Sequence, residues 1–334
     1  MTRIAIVGAG TMGQLHAQSC LNLPDAQVTW VADRHAERAE ALAALLGAGC
    51  RATTDNAEAV GAADVDAVLV CVPTSAHREV TELAAARGKH VFCEKPIART
   101  LADAEAMVEA CRSAGVRLMV GHVVRFFPEY ARIRELLRED AVGQVGVVRA
   151  ARLNAYPRPD RDWYTDLDAC GGPIVDLMIH DLDTLRWYFG EPRRVYARGL
   201  SGREGPGERD YALAVVRFAN GVIAHCEGSW AHPDGFRTAI EVAGDGGLLT
   251  HSSVASDPLR WERPPAEGGA ASFVPRSPVA ESPYRVELRH FVERLADGAP
   301  FQVDGEEGVR SLALALATLD SVRTGRVVTF PIED

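Results

Sequence analysis

The chain has 334 residues and carries 46 acids against 36 lysines and arginines, a formal charge of −10. Nucleic-acid binders show a basic excess or a basic stripe; here neither is present, and the acids are spread along the chain, so no nucleic-acid partner is expected. No apolar run approaches the roughly 20 residues of a membrane-spanning helix, and seven widely spaced cysteines with no Cys-x-x-Cys pair argue against a disulfide framework and a metal site.

In chain order, the segment from Met1 passes directly into an apolar run, without the longer apolar stretch and cleavage site of a signal peptide, so a cytoplasmic location is expected. Buried strands are predicted at Ile4–Val7, Val28–Ala32, Ala67–Val72, Val91–Cys93 and Leu118–Val120. Alanine-rich helical stretches over 12–22, 35–46, 76–87 and 101–113 alternate with them, with Thr100 as an N-cap and Gly115 as a stop. Short apolar strands separated by helices imply a parallel sheet covered on both faces. After about residue 145 the strands lengthen: 145–155, 194–200, 211–218, 221–230 and 237–243, with Asn220-Gly221 as a hairpin signal. A helical run, Pro173–Phe189, interrupts them. The stretch 256–283, rich in Pro, Gly, Ser and Ala, reads as a surface loop, followed by closing helices at 284–297 and 306–323 and a strand at Val327–Phe330. The expected fold is an N-terminal α/β domain with a parallel sheet, residues 1–121, and a C-terminal α+β domain, residues 122–334, on a large, mostly antiparallel open sheet. The closing helices and last strand are candidates to pack back on the first domain.

Gly8-Ala9-Gly10-Thr11-Met12-Gly13 follows the first strand and opens the first helix. In that setting Gly8 permits the tight turn, Gly10 lets a pyrophosphate approach the backbone, and Gly13 lets helix and strand pack closely. The helix N-terminus offers free N–H groups to the phosphates, a Rossmann arrangement. Asp33 ends the second strand 20 residues past Gly13, where an acid accepts hydrogen bonds from ribose hydroxyls. A carboxylate there repels a 2′-phosphate and favours NAD; Arg34 beside it keeps NADP as the alternative.

Cys71-Val72-Pro73-Thr74-Ser75-Ala76-His77, Gly88-Lys89-His90-Val91-Phe92-Cys93-Glu94-Lys95-Pro96, Gly121-His122-Val123-Val124-Arg125-Phe126-Phe127-Pro128 and Gly171-Gly172-Pro173-Ile174-Val175-Asp176-Leu177-Met178-Ile179-His180-Asp181 complete the pattern. With the glycine motif, they closely resemble the Gfo/Idh/MocA family of nicotinamide-dependent oxidoreductases across essentially the whole chain. The resemblance implies a Rossmann domain followed by an open-sheet domain commonly used for oligomerisation, hence a homodimer or homotetramer. It implies catalytic roles for Lys95, Asp176 and His180, with Cys71, Pro73, His77, Glu94 and Lys95 joining Gly8, Gly10, Thr11, Met12, Gly13, Asp33 and Arg34 at the cofactor. Arg125 and Trp163 join Lys95, Asp176 and His180 as candidate substrate contacts, and a polyol or sugar, inositol first, is the implied substrate. Family members often carry Asn where this chain has His122.

The chemistry also stands on its own residues. Asp176 and His180 lie four apart on a predicted helix and share a face, and a carboxylate beside an imidazole orients a general base. Asp181 and Asp183 are the competing acids. An ammonium at Lys95 would stabilise negative charge on an alcohol oxygen. Lysine itself is scarce here: Lys89 and Lys95 are the only two, every other basic side chain being arginine, which keeps its proton near neutral pH. Trp163, Tyr164 and Trp230 could wall a sugar or belong to the core.

Other dehydrogenase classes fail on residues. A short-chain dehydrogenase needs Tyr-x-x-x-Lys, whereas Ala85 and Val91 stand four before the two lysines. No Gly-x-Ser-x-Gly elbow of an α/β-hydrolase is present. Two rivals share the fold: an NAD-dependent glycoside hydrolase and a non-catalytic NAD-binding sensor.

Overall fold

The computed structural model describes residues 1–157, 164, 166–200, 210–233, 235–254 and 281–331. The first elements are β1 (Thr2–Val7), α1 (Thr11–Cys20), β2 (Ala26–Ala32), α2 (Ala36–Leu46), β3 (Arg51–Thr53), α3 (Asn56–Gly61) and β4 (Ala67–Val70). Then come α4 (His77–Ala86), β5 (His90–Glu94), α5 (Leu101–Ser113), β6 (Leu118–Gly121), α6 (Pro128–Arg138) and β7 (Val145–Leu153). They are followed by α7 (Leu167–Cys170), α8 (Ile179–Phe189), β8 (Pro192–Leu200), β9 (Tyr211–Phe218), β10 (Ile223–Ser229), β11 (Arg237–Gly244) and β12 (Gly247–Ser252). The chain closes with α9 (Pro283–Asp297), α10 (Gly305–Thr324) and β13 (Val328–Thr329). It divides into two compact units, Met1–Phe126 with Val279–Arg310, and Phe127–Pro278 with Ser311–Asp334.

In the first unit a six-stranded sheet runs β3-β2-β1-β4-β5-β6 with every pairing parallel. The order reverses between β1 and β4, which in doubly wound sheets is where ligands bind. Ile4, Ile6, Leu69, Phe92 and Met119 are fully buried, as expected of strands covered on both faces. Thr100 caps α5 by accepting the Asp103 N–H at 3.1 Å. Helix α9 belongs to this core: Leu288 and Phe291 are buried, and Phe291 meets Phe92 edge to face at 5.7 Å between centroids. Strand β3 and helix α3 were not expected, because three half-exposed residues leave no apolar signature; Asp55 caps α3 through the Ala57 N–H at 2.8 Å. Lys89 is structural: its Nζ donates to the carbonyls of Ala62 at 3.1 Å and Val65 at 2.7 Å.

In the second unit a seven-stranded sheet runs β12-β11-β7-β10-β9-β8-β13. Its pairings are antiparallel except β7 with β10, which are parallel. The β9–β10 hairpin turns at Asn220-Gly221, where Gly221 has φ +94° and Asn220 Oδ1 accepts the Val222 N–H at 3.2 Å. Side chains alternate across this sheet: Ala212, Ala214, Val216 and Phe218 are buried, while Leu213 and Arg217 between them are exposed. Strand β12 extends the sheet beyond the sequence expectation. The run Pro173–Phe189 is helical, but its first part, Ile174–Met178, is a π turn and only Ile179–Phe189 is α-helix. No helix among the described residues is long and apolar enough to cross a membrane.

Candidate active site

Within the first unit, the β1–α1 turn forms an anion cradle. Gly8 has φ +103°, and a Cβ there would stand 2.5 Å from the Cys71 carbonyl oxygen, so the ends of β1 and β4 meet only because the residue is glycine. A Cβ on Gly13 would lie 1.9 Å from the Gly8 oxygen, whereas one on Gly10 would meet nothing within 4 Å. Gly10 therefore faces open space at the start of α1, and no side chain caps that helix. Its first N–H groups are left for an outside acceptor, and the cradle fits a dinucleotide pyrophosphate. Thr11 and Met12 form the first turn; Thr11 and Arg34 are exposed. Asp33 accepts from the Ala9 N–H at 2.8 Å and the His35 N–H at 2.9 Å, which ties the second strand's end to the glycine turn and fixes the carboxylate beside it.

The segments carrying Cys71, Pro73 and Lys95 belong to the same unit. Glu94 is buried; its Oε1 lies 2.5 Å from His16 Nε2 and its Oε2 accepts the Lys95 N–H at 3.1 Å. Burial opposes its ionisation, but the His16 hydrogen bond, with the charges of His16, Lys95 and His77, leaves its pKa below the ordinary carboxyl value. His77 is also buried, and its ring nitrogens face the backbone carbonyls of Val72, Pro96 and Ile97. Glu94 and His77, expected at the cofactor, both hydrogen-bond the backbone around Lys95. Arg125, a candidate substrate contact, is engaged within the first unit. Its guanidinium is buried and donates to Glu307 Oε2 at 3.0 Å and the Gln302 carbonyl at 3.1 Å, so its charge is already engaged within the unit. His16 and Glu287 escaped the sequence reading. His16 follows the glycine motif on the buried face of α1, and Glu287 sits in the apolar stripe of α9 with Leu288 and Phe291.

The second unit holds Asp176 in the π turn and His180 in the first turn of α8. Gly171 and Gly172, with φ of +79° and +65°, lead into it. Of residues 171–186 only Asp176 and His180, four apart, are not buried. π turns inside helices recur at functional sites. The competing acids are structural: Asp181 takes both oxygens to Arg152, at 2.7 and 3.0 Å, and Asp183 accepts from Ser311 Oγ at 2.7 Å. Trp230 is buried between Tyr156 and Tyr164, which meet it edge to face at 5.7 and 5.5 Å, and so belongs to the core. Tyr164 also reports on the site, since the Asp176 carboxylate, then burial, hold its phenol protonated well above its ordinary range. Trp163 lies outside the described residues.

A reversed parallel sheet, a glycine cradle and an acid at the second strand's end define a nicotinamide-type dinucleotide-binding protein. Residues 2–122 match the oxidoreductase family with an NAD-binding Rossmann fold, and residues 130–250 match the GFO/IDH/MocA C-terminal domain. The chain belongs to the Gfo/Idh/MocA family and is an NAD-binding oxidoreductase. It is 30% identical over 331 residues to the myo-inositol 2-dehydrogenase of Thermotoga maritima, covering 98% of both chains. It is 33% identical over 335 residues to the 1,5-anhydro-D-fructose reductase of Ensifer adhaerens, again covering 98% of each. The crystal structure of GenD2 from gentamicin A biosynthesis, in complex with NAD, superposes with a TM-score of 0.88 at 27% identity, covering 98% of this chain and 96% of that one.

Proposed function

We propose that this chain is an NAD-dependent dehydrogenase acting reversibly on a secondary alcohol of a cyclitol or sugar, an inositol first. The observation that carries it is the half-buried Asp176 and His180, four apart in an otherwise buried segment, in a chain that also holds the dinucleotide cradle. Its relatives' names supply the substrate class. When bound, NAD supplies the nicotinamide carbon that takes the hydride. His180 takes the hydroxyl proton, and Asp176 orients the imidazole and stabilises its protonated form. The Lys95 ammonium suits stabilising negative charge on the alcohol oxygen.

The cytoplasm fits seven cysteines that are all thiols. A homodimer or homotetramer fits the exposed and half-buried side chains along one face of the second sheet among the described residues. Cofactor choice rests on Asp33 against Arg34, so NAD is expected over NADP.

Nicotinamide absorbance tests the reading, using purified protein, NAD and NADP in turn, and a panel of inositols, aldoses and sugar acids. Turnover with NAD is expected, falling by about 10²–10⁴ in His180→Ala, the range for loss of a general base, and comparably in Lys95→Ala. NAD binding without turnover on any of them would overturn the dehydrogenase; release of aglycone from glycosides would then identify a hydrolase, and silence there a sensor.

A further inference from the structure

Asp181 follows His180 in the first turn of α8 and is 1% exposed. Arg152 of β7, 4% exposed, meets it with a fork: Nε donates to Oδ2 at 2.7 Å and Nη2 to Oδ1 at 3.0 Å. Burial works against the charge on Arg152, but the Asp181 carboxylate outweighs it and leaves the guanidinium pKa above its ordinary value. Planar guanidinium and planar carboxylate thus meet through two parallel bonds, which fixes direction as well as distance.

Within the sheet, Arg152 stands in register with Gly228 of β10. Gly228 is where a Cβ would strike Met178, the last residue of the π turn. Two neighbouring sheet positions therefore receive two residues of one helix turn, a bare glycine under Met178 and a guanidinium on Asp181. Met178 and Asp181 are three apart and share the helix side that meets the sheet. His180, half-buried, lies about 100° round the axis from Asp181.

Stability does not call for charge here, since apolar residues of the same volume hold a fold about as well as a buried ion pair. Direction does: apolar side chains slide on one another, whereas a two-bond fork fixes one rotation of the helix. We propose that Arg152 is a positioning residue which, through Asp181, sets the rotation of α8 and so the place of the His180 imidazole. The expected loss of turnover rests on the acid–base role proposed for His180; the positioning does not.

Removing one partner strands a buried charge, so the test removes both. In Arg152→Met/Asp181→Leu the melting temperature and the affinity for NAD should match the wild type. Its kcat with inositol should fall about 10²-fold, the cost of a misplacement of about 1 Å. Arg152→Lys keeps the charge without the fork and should also lower kcat with melting temperature and NAD affinity held; it carries the test should the double variant not fold. Crystal structures should show the imidazole displaced in both variants. Wild-type kcat in a folded double variant, or an imidazole that keeps its place, overturns the proposal. A displaced imidazole in a protein that turns over no alcohol would leave the positioning standing and remove the dehydrogenase.

Discussion

At the scale of single residues, the cofactor unit places ionisable groups where sequence patterning expects hydrocarbon. Glu287 is fully buried, and neither carboxyl oxygen has a hydrogen-bond partner among the described residues. Burial, and then the charge of Glu94, hold its acid protonated well above the ordinary range. In the unfolded chain the group ionises near pH ~4.3, so above that value folding takes up a proton. Its contribution to stability is complete below the unfolded pKa and is lost as pH rises towards the folded one. Glu287→Gln keeps the shape without the titration. Relative to the variant, the wild type should lose about 1.4 kcal/mol of stability per pH unit from about pH 5 upwards. Denaturant midpoints measured across that range would show the two curves diverging; parallel curves would sink the assignment.

At the scale of elements, the π turn is the feature the sequence least announces. The apolar positions of 173–189 fit an ordinary helix, and one extra residue in a turn leaves no mark on such a pattern. The distortion is supported from across the sheet. A Cβ on Gly228 of β10 would lie 2.1 Å from Met178 Cγ and 2.8 Å from its Sδ, so the end of the π turn rests on a bare backbone. Gly228→Ala should therefore push Met178 away and move Asp176 relative to His180. The expected cost is about 1–3 kcal/mol, seen as a lower melting temperature, with a fall in kcat and an unchanged affinity for NAD. Full activity at an unchanged melting temperature would show that the contact does not matter. Strands β1, β4, β5 and β6 were legible because the runs read for them are apolar throughout. The links that escaped, such as His16 to Glu94, join residues 78 apart in the chain and leave no local spacing to read.

For the whole molecule, one face of the second sheet carries a row in which Tyr196, Val215, His225 and Arg149 are cross-strand neighbours, and a second in which Arg198, Leu213, Glu227 and Ala151 follow one another. Tyr196 and Leu213 are 37% and 39% exposed, and Leu248 on β12 is 57% exposed. Mixed apolar and charged surface of this kind suits contact with a second copy of the chain. Sedimentation equilibrium should report a dimer or tetramer, and Leu213→Glu should shift it towards monomer with each unit still folded. A wild-type monomer at micromolar concentration would remove the proposal. Architecture at this scale was legible, since alternation in β9 and β10 marks one covered and one open face, whereas the closing helix α9 could be assigned to the first unit only through long-range packing on Phe92.

The scarcity of lysine gives this protein an unusual chemical handle. Of its two ε-amines, Lys89 is tied by Nζ to the carbonyls of Ala62 and Val65, which leaves its lone pair little chance to attack a reagent. Among side chains, an amine-directed acylating reagent therefore has these two lysines as its targets. Mass mapping reads the two adducts separately, and inactivation should track the one at Lys95 one for one and be slowed by bound NAD. Inactivation with Lys95 unmodified would remove that residue from the reaction.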